Sequence, residues 1–222
     1  MDSLTLSQDS EKVAMIKNVG TKIQGAVETY LRSEGQGSFV DGFDWEFNLI
    51  DNDTTVNAWA MSGGKVAFYT GILPICQDEL GVAVVMGHEI AHAIARHGYE
   101  RVNQNYTKQI GFTIGAVALG QNPSATQQII FQAAGLGTDI ALLKYSRLHE
   151  SEADEMGLYF MAMAGYDPSV APSFWERMSG GSNGQAPPEF MSTHPSHETR
   201  IKRLNDAMPK ALEYYNAKNG FK

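Results

Sequence analysis

The stretch ELGVAVVMGHEIAHAIAR, Glu79 to Arg96, constrains this chain more than any other. Val82 to Met86 are apolar on every face of a helix, which places that helix in the centre of a domain. Three ionisable side chains, His88, Glu89 and His92, follow directly on it. Unpartnered imidazoles in such a place would cost about 1–3 kcal/mol each, so these polar atoms need a shared purpose. Asp78 can cap the start and Gly98 can end it, so the expected helix covers 78–98.

Histidines four residues apart lie on one helix face, their Cβ atoms about 5–6 Å apart, and can converge on one small ion. Zinc accepts neutral imidazole nitrogens at about 2.0–2.1 Å, and a catalytic site keeps one position for water. Glu89 follows the first histidine by one residue and projects beside the ion, where a general base must stand. His97 falls roughly opposite the ligand face of a regular helix and reads as a bystander that satisfies carbonyls in the last turn. A glycine and a third histidine at the metzincin offsets are missing, since Ala95 and Gly98 stand there.

A further ligand must then come from elsewhere. In SRLHESEADEMGLYFMAMAGYDP, Ser146 to Pro168, an apolar stripe of Met156, Phe160 and Met163 marks a helix over 146–165. Glu150, Asp154 and Gly157 share a neighbouring face. Two carboxylates four apart repel unless a cation stands near them, which suits Glu150 as ligand and Asp154 as its holder. The alternative is an ordinary charged helix surface. Glu152 and Glu155 point to solvent on this reading, His149 is a neighbour, and Gly157 lets the two helices approach closely.

Elsewhere, Ile16, Ile23, Val27 and Leu31 give an amphipathic helix over 10–32. FDWEFNLI, VNAWAM and KVAFYTG read as three strands, and with the SGG turn at Ser62 to Gly64 they predict a small antiparallel sheet over 43–71. Two short helices are expected between Ile110 and Leu143 around GQNPSA. The fold class is α+β, mainly helical, in a single domain over 1–222. A formal charge of -8 excludes a phosphate backbone as partner. The lone Cys76 leaves the redox compartment open. No apolar run is long enough to span a membrane, and MDSLTLSQDSEK lacks the form of a signal peptide.

His88-Glu89-x-x-His92, then Ser146-Arg147, then Glu150-x-x-Ala153-Asp154, resembles the M48 family of zinc metallopeptidases. The likeness extends upstream to NAWAMSGGKVAFYTGIL, Asn57 to Leu73, and downstream to STHPSHETRI, Ser192 to Ile201. It implies a zincin-like (gluzincin) domain holding one zinc ion on His88, His92 and Glu150, with the sheet beside the active-site helix. By the same likeness Glu89 is the general base and Asp154 orients the site. His194, in the Thr-His-Pro segment at 192–201, is a fourth ligand or a stabiliser of the oxyanion, and Arg200 pairs with the site carboxylates.

The strand Asn57, Ala58, Trp59, Ala60 and Met61 would take a peptide as one more strand. The resemblance is to the soluble bacterial-envelope subgroup, which implies protein or peptide substrates, protein quality control and a periplasmic or cell-envelope location. A leader or lipid anchor would then precede this sequence. Rival readings are a latent or non-catalytic zinc-binding, chaperone-like protein and a zinc hydrolase of non-peptide substrates.

Overall fold

A computed structural model of the chain describes residues 5–100, 146–180, 190–191, 194 and 199–221. The helices expected between Ile110 and Leu143, and most of the 192–201 segment, lie outside these residues. Asp9 starts helix α1 (Ser10–Ser33) by accepting the Lys12 N–H at 3.1 Å. Its stripe of Ile16, Val19, Ile23, Val27 and Leu31 is buried. Gly20 lies on that stripe, and a Cβ there would overlap the Phe47 ring, so α1 rests directly on the sheet.

That sheet has three strands, β1 (Glu46–Ile50), β2 (Ala58–Met61) and β3 (Lys65–Tyr69), in the order β1-β3-β2. β2 and β3 form the expected hairpin, turned at Gly63 and Gly64 with φ of 99° and 94°. β1 and β3, however, run parallel, pairing Glu46 with Lys65 through Ile50 with Tyr69, so the sheet is mixed rather than antiparallel. The reason lies in residues 51–57, which carry the chain past the end of β3. β2 thus becomes the return leg, and β3 runs in the direction of β1 without a helical crossover. Asn52 pins this connection: its N–H donates to Thr70 Oγ1 at 2.9 Å, and its side chain accepts the N–H groups of Thr54 and Thr55.

The short α2 (Leu73–Cys76) leads into α3 (Glu79–Ile94), whose N-terminus is capped by Asp78 accepting the Gly81 N–H at 3.0 Å. Residues Gly81 to Ala91 are buried without interruption. The helix stops at Ile94, four residues before Gly98, because Arg96 takes the left-handed conformation at φ 57° and turns the chain. That geometry costs a side chain about 1–2 kcal/mol.

Among the described residues the larger helices that follow are α4 over residues 146–163, α5 (Ala171–Gly180) and α6 (Arg200–Asn219). The molecule is therefore mainly helical with a small sheet beside α3. Phe68, Met86, Ile90, Met161, Phe174 and Trp175 fill the space between sheet and helices. Among the described residues no helix is long and apolar enough to cross a membrane.

Candidate metal centre

α3 and α4 meet backbone to backbone. A Cβ on Gly157 would stand 2.7 Å from the His88 nitrogen, and one on Gly87 would stand 2.5 Å from the Gly157 carbonyl oxygen. This contact brings His88 and His92 from one helix against Glu150 and Asp154 from the other, with all but His92 fully buried.

His88 Nε2 lies 3.1 Å from His92 Nε2 and 3.4 Å from Glu150 Oε2, and His92 Nε2 lies 3.4 Å from Glu150 Oε1. His194 adds its Nδ1 at 3.2 Å from both His88 Nε2 and Glu150 Oε1. Four candidate ligand atoms thus lie within 4.8 Å of one another. Bonds of 2.0–2.1 Å to a tetrahedral ion would set its ligands about 3.3–3.4 Å apart, close to these separations.

Protonation makes the case for a cation stronger. His88 Nδ1 faces Asp154 Oδ1 at 3.1 Å, close but without the alignment of a full hydrogen bond, and His92 Nδ1 faces His97 at 2.9 Å. With each ring proton on that outer side, both Nε2 lone pairs point at each other and at the Glu150 carboxylate. Such a set repels itself unless positive charge sits among it. In a metal-free cradle a proton meets part of this need: burial disfavours charge on His88, but Asp154 and Glu150 outweigh it and lift its pKa to about 9.

Behind the cradle, Arg200 Nε donates to Asp154 Oδ2 at 2.6 Å and its Nη2 to Glu150 Oε2 at 3.2 Å. Its guanidinium lies 4.0 Å above the Trp175 ring, whose edge meets His88. Burial would raise the Asp154 pKa, but the Arg200 charge and the His88 contact hold it below the ordinary value. Glu150 is likewise buried, yet His194 and His88 keep it far below the usual carboxylate range.

Glu89 is buried beside the cradle, and burial raises its pKa against the pull of His194 and His88. The Ala60 backbone N–H is the weakest of the influences that favour its charged form. Its Oε1 has no hydrogen-bond partner among the described residues and faces His194 Nε2 at 3.5 Å. His194 is set by its neighbours: its N–H donates to the Phe190 carbonyl at 2.8 Å, and its ring stacks on Phe190 at 4.4 Å. The Phe190 N–H in turn donates to the Val56 carbonyl at 3.0 Å, just before β2.

Among the described residues β2 is an edge strand. Because the Tyr69 N–H donates to the Asn57 carbonyl, Trp59 and Met61 share ladder pairs with Ala67 and Lys65, and the backbones of Ala58 and Ala60 turn to the open side. The Ala58 N–H is taken up by Asn57 Oδ1 at 2.9 Å, and Ala60 points toward Glu89. The open edge therefore runs past the candidate base, with Met61 exposed at its far end.

His97 departs from expectation. The turn at Arg96 swings its ring back to His92, with Nδ1 to Nδ1 at 2.9 Å, and its Nε2 meets Glu152 Oε2 at 3.2 Å. It stacks on His149 at 4.1 Å and 12°, and His149 reaches Glu100 at 3.1 Å. Burial first, then the neighbouring His149, lowers the His97 pKa. Glu152 is exposed, as expected, and touches His97 through one carboxylate oxygen. Neither Trp175 nor Phe190 was visible from spacing, since an aromatic residue against a metal cradle has no periodicity of its own.

The family model described as "Peptidase family M48" matches residues 21–208. The mitochondrial metalloendopeptidase OMA1 of Schizosaccharomyces pombe is 38% identical over 169 residues, covering 75% of this chain and 48% of that protein. OMA1 of Saccharomyces cerevisiae is 32% identical over 207 residues, 90% of this chain and 57% of its own length. The beta-barrel assembly-enhancing protease of Escherichia coli K12 is 28% identical over 178 residues, 76% of this chain and 36% of that protein. The chain thus spans less than two thirds of each of these relatives. A buried helix bearing His88, Glu89 and His92 against Glu150, within a match from residue 21 to 208, makes this chain a member of peptidase family M48.

Proposed function

We propose that this chain is a zinc-dependent endopeptidase that cleaves misfolded or membrane-associated proteins of the bacterial envelope in protein quality control. The observation that carries the reading is the convergence of His88, His92 and Glu150 on one point with Glu89 alongside. Zinc is the ion that suits two imidazoles and one carboxylate at tetrahedral spacing. When bound there, it supplies Lewis acidity to the scissile carbonyl and to the attacking water.

The chain's own residues do the rest. Glu89, with its pKa raised by burial, takes a proton from water and returns it to the leaving nitrogen. Arg200 and Asp154 hold Glu150 and His88 against rotation. The substrate backbone lies along the outward edge of Ala58 and Ala60 as an added strand, so recognition rests on main-chain groups and tolerates many sequences.

A second reading concerns His194, whose Nδ1 takes the fourth corner while its Nε2 faces Glu89. In that pose it covers both the water position and the base, which suits a latent form of the same protease. Turned aside, it can donate to the oxyanion.

The envelope location draws support from the likeness to a bacterial beta-barrel assembly-enhancing protease. The mitochondrial relatives share the same peptidase region.

The test is hydrolysis of unfolded casein with and without a chelator. Glu89→Gln is expected to retain zinc and lose hydrolysis; full activity in that variant refutes Glu89 as base. His194→Ala is expected to cleave faster if His194 closes the resting site, and more slowly if its work is at the oxyanion.

A further inference from the structure

We propose that His97 is a positioning residue for the metal site, accepting a hydrogen bond from the second nitrogen of His92 and so fixing the tautomer and tilt of that ligand. The inference rests on the zinc reading above. His92 and His97 face each other through Nδ1 atoms 2.9 Å apart, so one of them carries the proton and the other accepts it. His92 turns its Nε2 toward His88 Nε2 and Glu150, where a lone pair is required for a ligand. Its proton therefore belongs on Nδ1, and His97 Nδ1 is the acceptor. The proton of His97 then sits on Nε2, which faces the acceptor Glu152 Oε2 at 3.2 Å.

The opposite arrangement fails at both ends. It would aim a His92 proton at His88 Nε2, and it would leave a His97 lone pair against a carboxylate. Only one tautomer set matches every atom in the row from His92 through His97 to Glu152.

The ring of His97 is also held rigidly. His149 stacks parallel to it at 4.1 Å, and the left-handed Arg96 directs it back toward the cradle. His88 has Asp154 and Arg200 for support; His97 with Glu152 gives His92 a support of its own, contributed by the segment just after α3 and by α4.

The test is zinc affinity of the whole chain, measured by competition with a chelating dye. His97→Phe keeps a flat ring for His149 but lacks the acceptor, and zinc is expected to bind about 10–100-fold more weakly. His97→Asn can place its Oδ1 where Nδ1 stood, and affinity is expected to stay near that of the unsubstituted protein. Independently, long-range proton–nitrogen NMR of the unsubstituted, zinc-loaded protein is expected to place the proton of His92 on Nδ1 and that of His97 on Nε2.

Unchanged affinity in folded His97→Phe overturns the inference, as does folded His97→Asn binding as weakly as His97→Phe, or a His97 proton found on Nδ1. Should His97→Phe not fold, the Asn variant and the NMR assignment decide. An unsubstituted chain that binds no zinc refutes the metal reading itself, so the two failures are distinct.

Discussion

Replacing Gly157 by alanine tests whether the approach of α3 and α4 sets the metal cradle. A Cβ at residue 157 would meet the His88 nitrogen at 2.7 Å, the Gly87 carbonyl carbon at 2.8 Å and the His88 Cα at 2.9 Å. All three are backbone atoms of a buried helix and cannot rotate away. Ordinary contact begins near 3.4 Å, so the helices must separate by roughly 0.5–0.7 Å. Overpacking of this kind costs about 1–3 kcal/mol, and the better helix propensity of alanine returns roughly 0.5–1 kcal/mol. With rigid neighbours the net loss is about 2 kcal/mol, a fall in Tm of roughly 4–8 °C for a chain of this size.

The same separation carries Glu150 away from His88 and His92 by more than the ~0.2 Å that metal bonds tolerate, so zinc affinity falls as well. Thermal unfolding with chelator present reads the first effect, and competition titration reads the second. Gly25→Ala, where nothing lies within 4 Å of the added carbon, is the control and is expected to be neutral or slightly stabilising. A Gly157→Ala protein with unchanged Tm and unchanged zinc affinity refutes the argument that close packing sets the ligand distances.

Two more outcomes are expected. Arg200→Ala leaves Asp154 and Glu150 buried without their counter-charge, and should lower stability in urea by about 3–5 kcal/mol at pH 7. Asp154 has a folded pKa below its ordinary 3.8, so its share of stability is complete above that value and is lost as pH falls through the lower folded one. The gap between variant and unsubstituted protein should therefore narrow on acidification below 3.8, and a gap that widens counts against the pairing. Ala60→Pro removes an outward-facing N–H of the β2 edge but none from the β2–β3 ladder, so casein turnover should drop at least about tenfold with zinc content unchanged. Unaltered turnover would mean that this edge does not bind substrate.

What could be read from the sequence is what helix phase controls. The 3.6-residue period places His88 with His92, and Glu150 with Asp154 and Gly157, without any knowledge of the fold. The small residues Gly87 and Gly157 then let those two faces touch. His97 was misread for the same reason that the others were legible. A periodic argument assumes that the helix continues, and here it stops at Ile94 and the chain turns at Arg96 in a conformation usually left to glycine. The parallel pairing of β1 with β3 was hidden because the 51–57 connection is held by Asn52 and Thr70, polar contacts with no repeating pattern. Trp175 beneath Arg200 and Phe190 beneath His194 depend on long-range packing, which no local spacing encodes.

The cradle is assembled from parts far apart along the chain: His88 meets His194 across 106 residues, and Arg200 reaches back 50 and 46 residues to Glu150 and Asp154. Contacts at such separations form late, because closing long loops precedes any reward from them. A chain still leaving the ribosome exposes His88, His92 and the candidate base Glu89 well before Glu150 and Arg200 exist. The ordering acts as a delay. The candidate ligands His88, His92 and Glu150 can meet on an ion only once α4 has packed against α3.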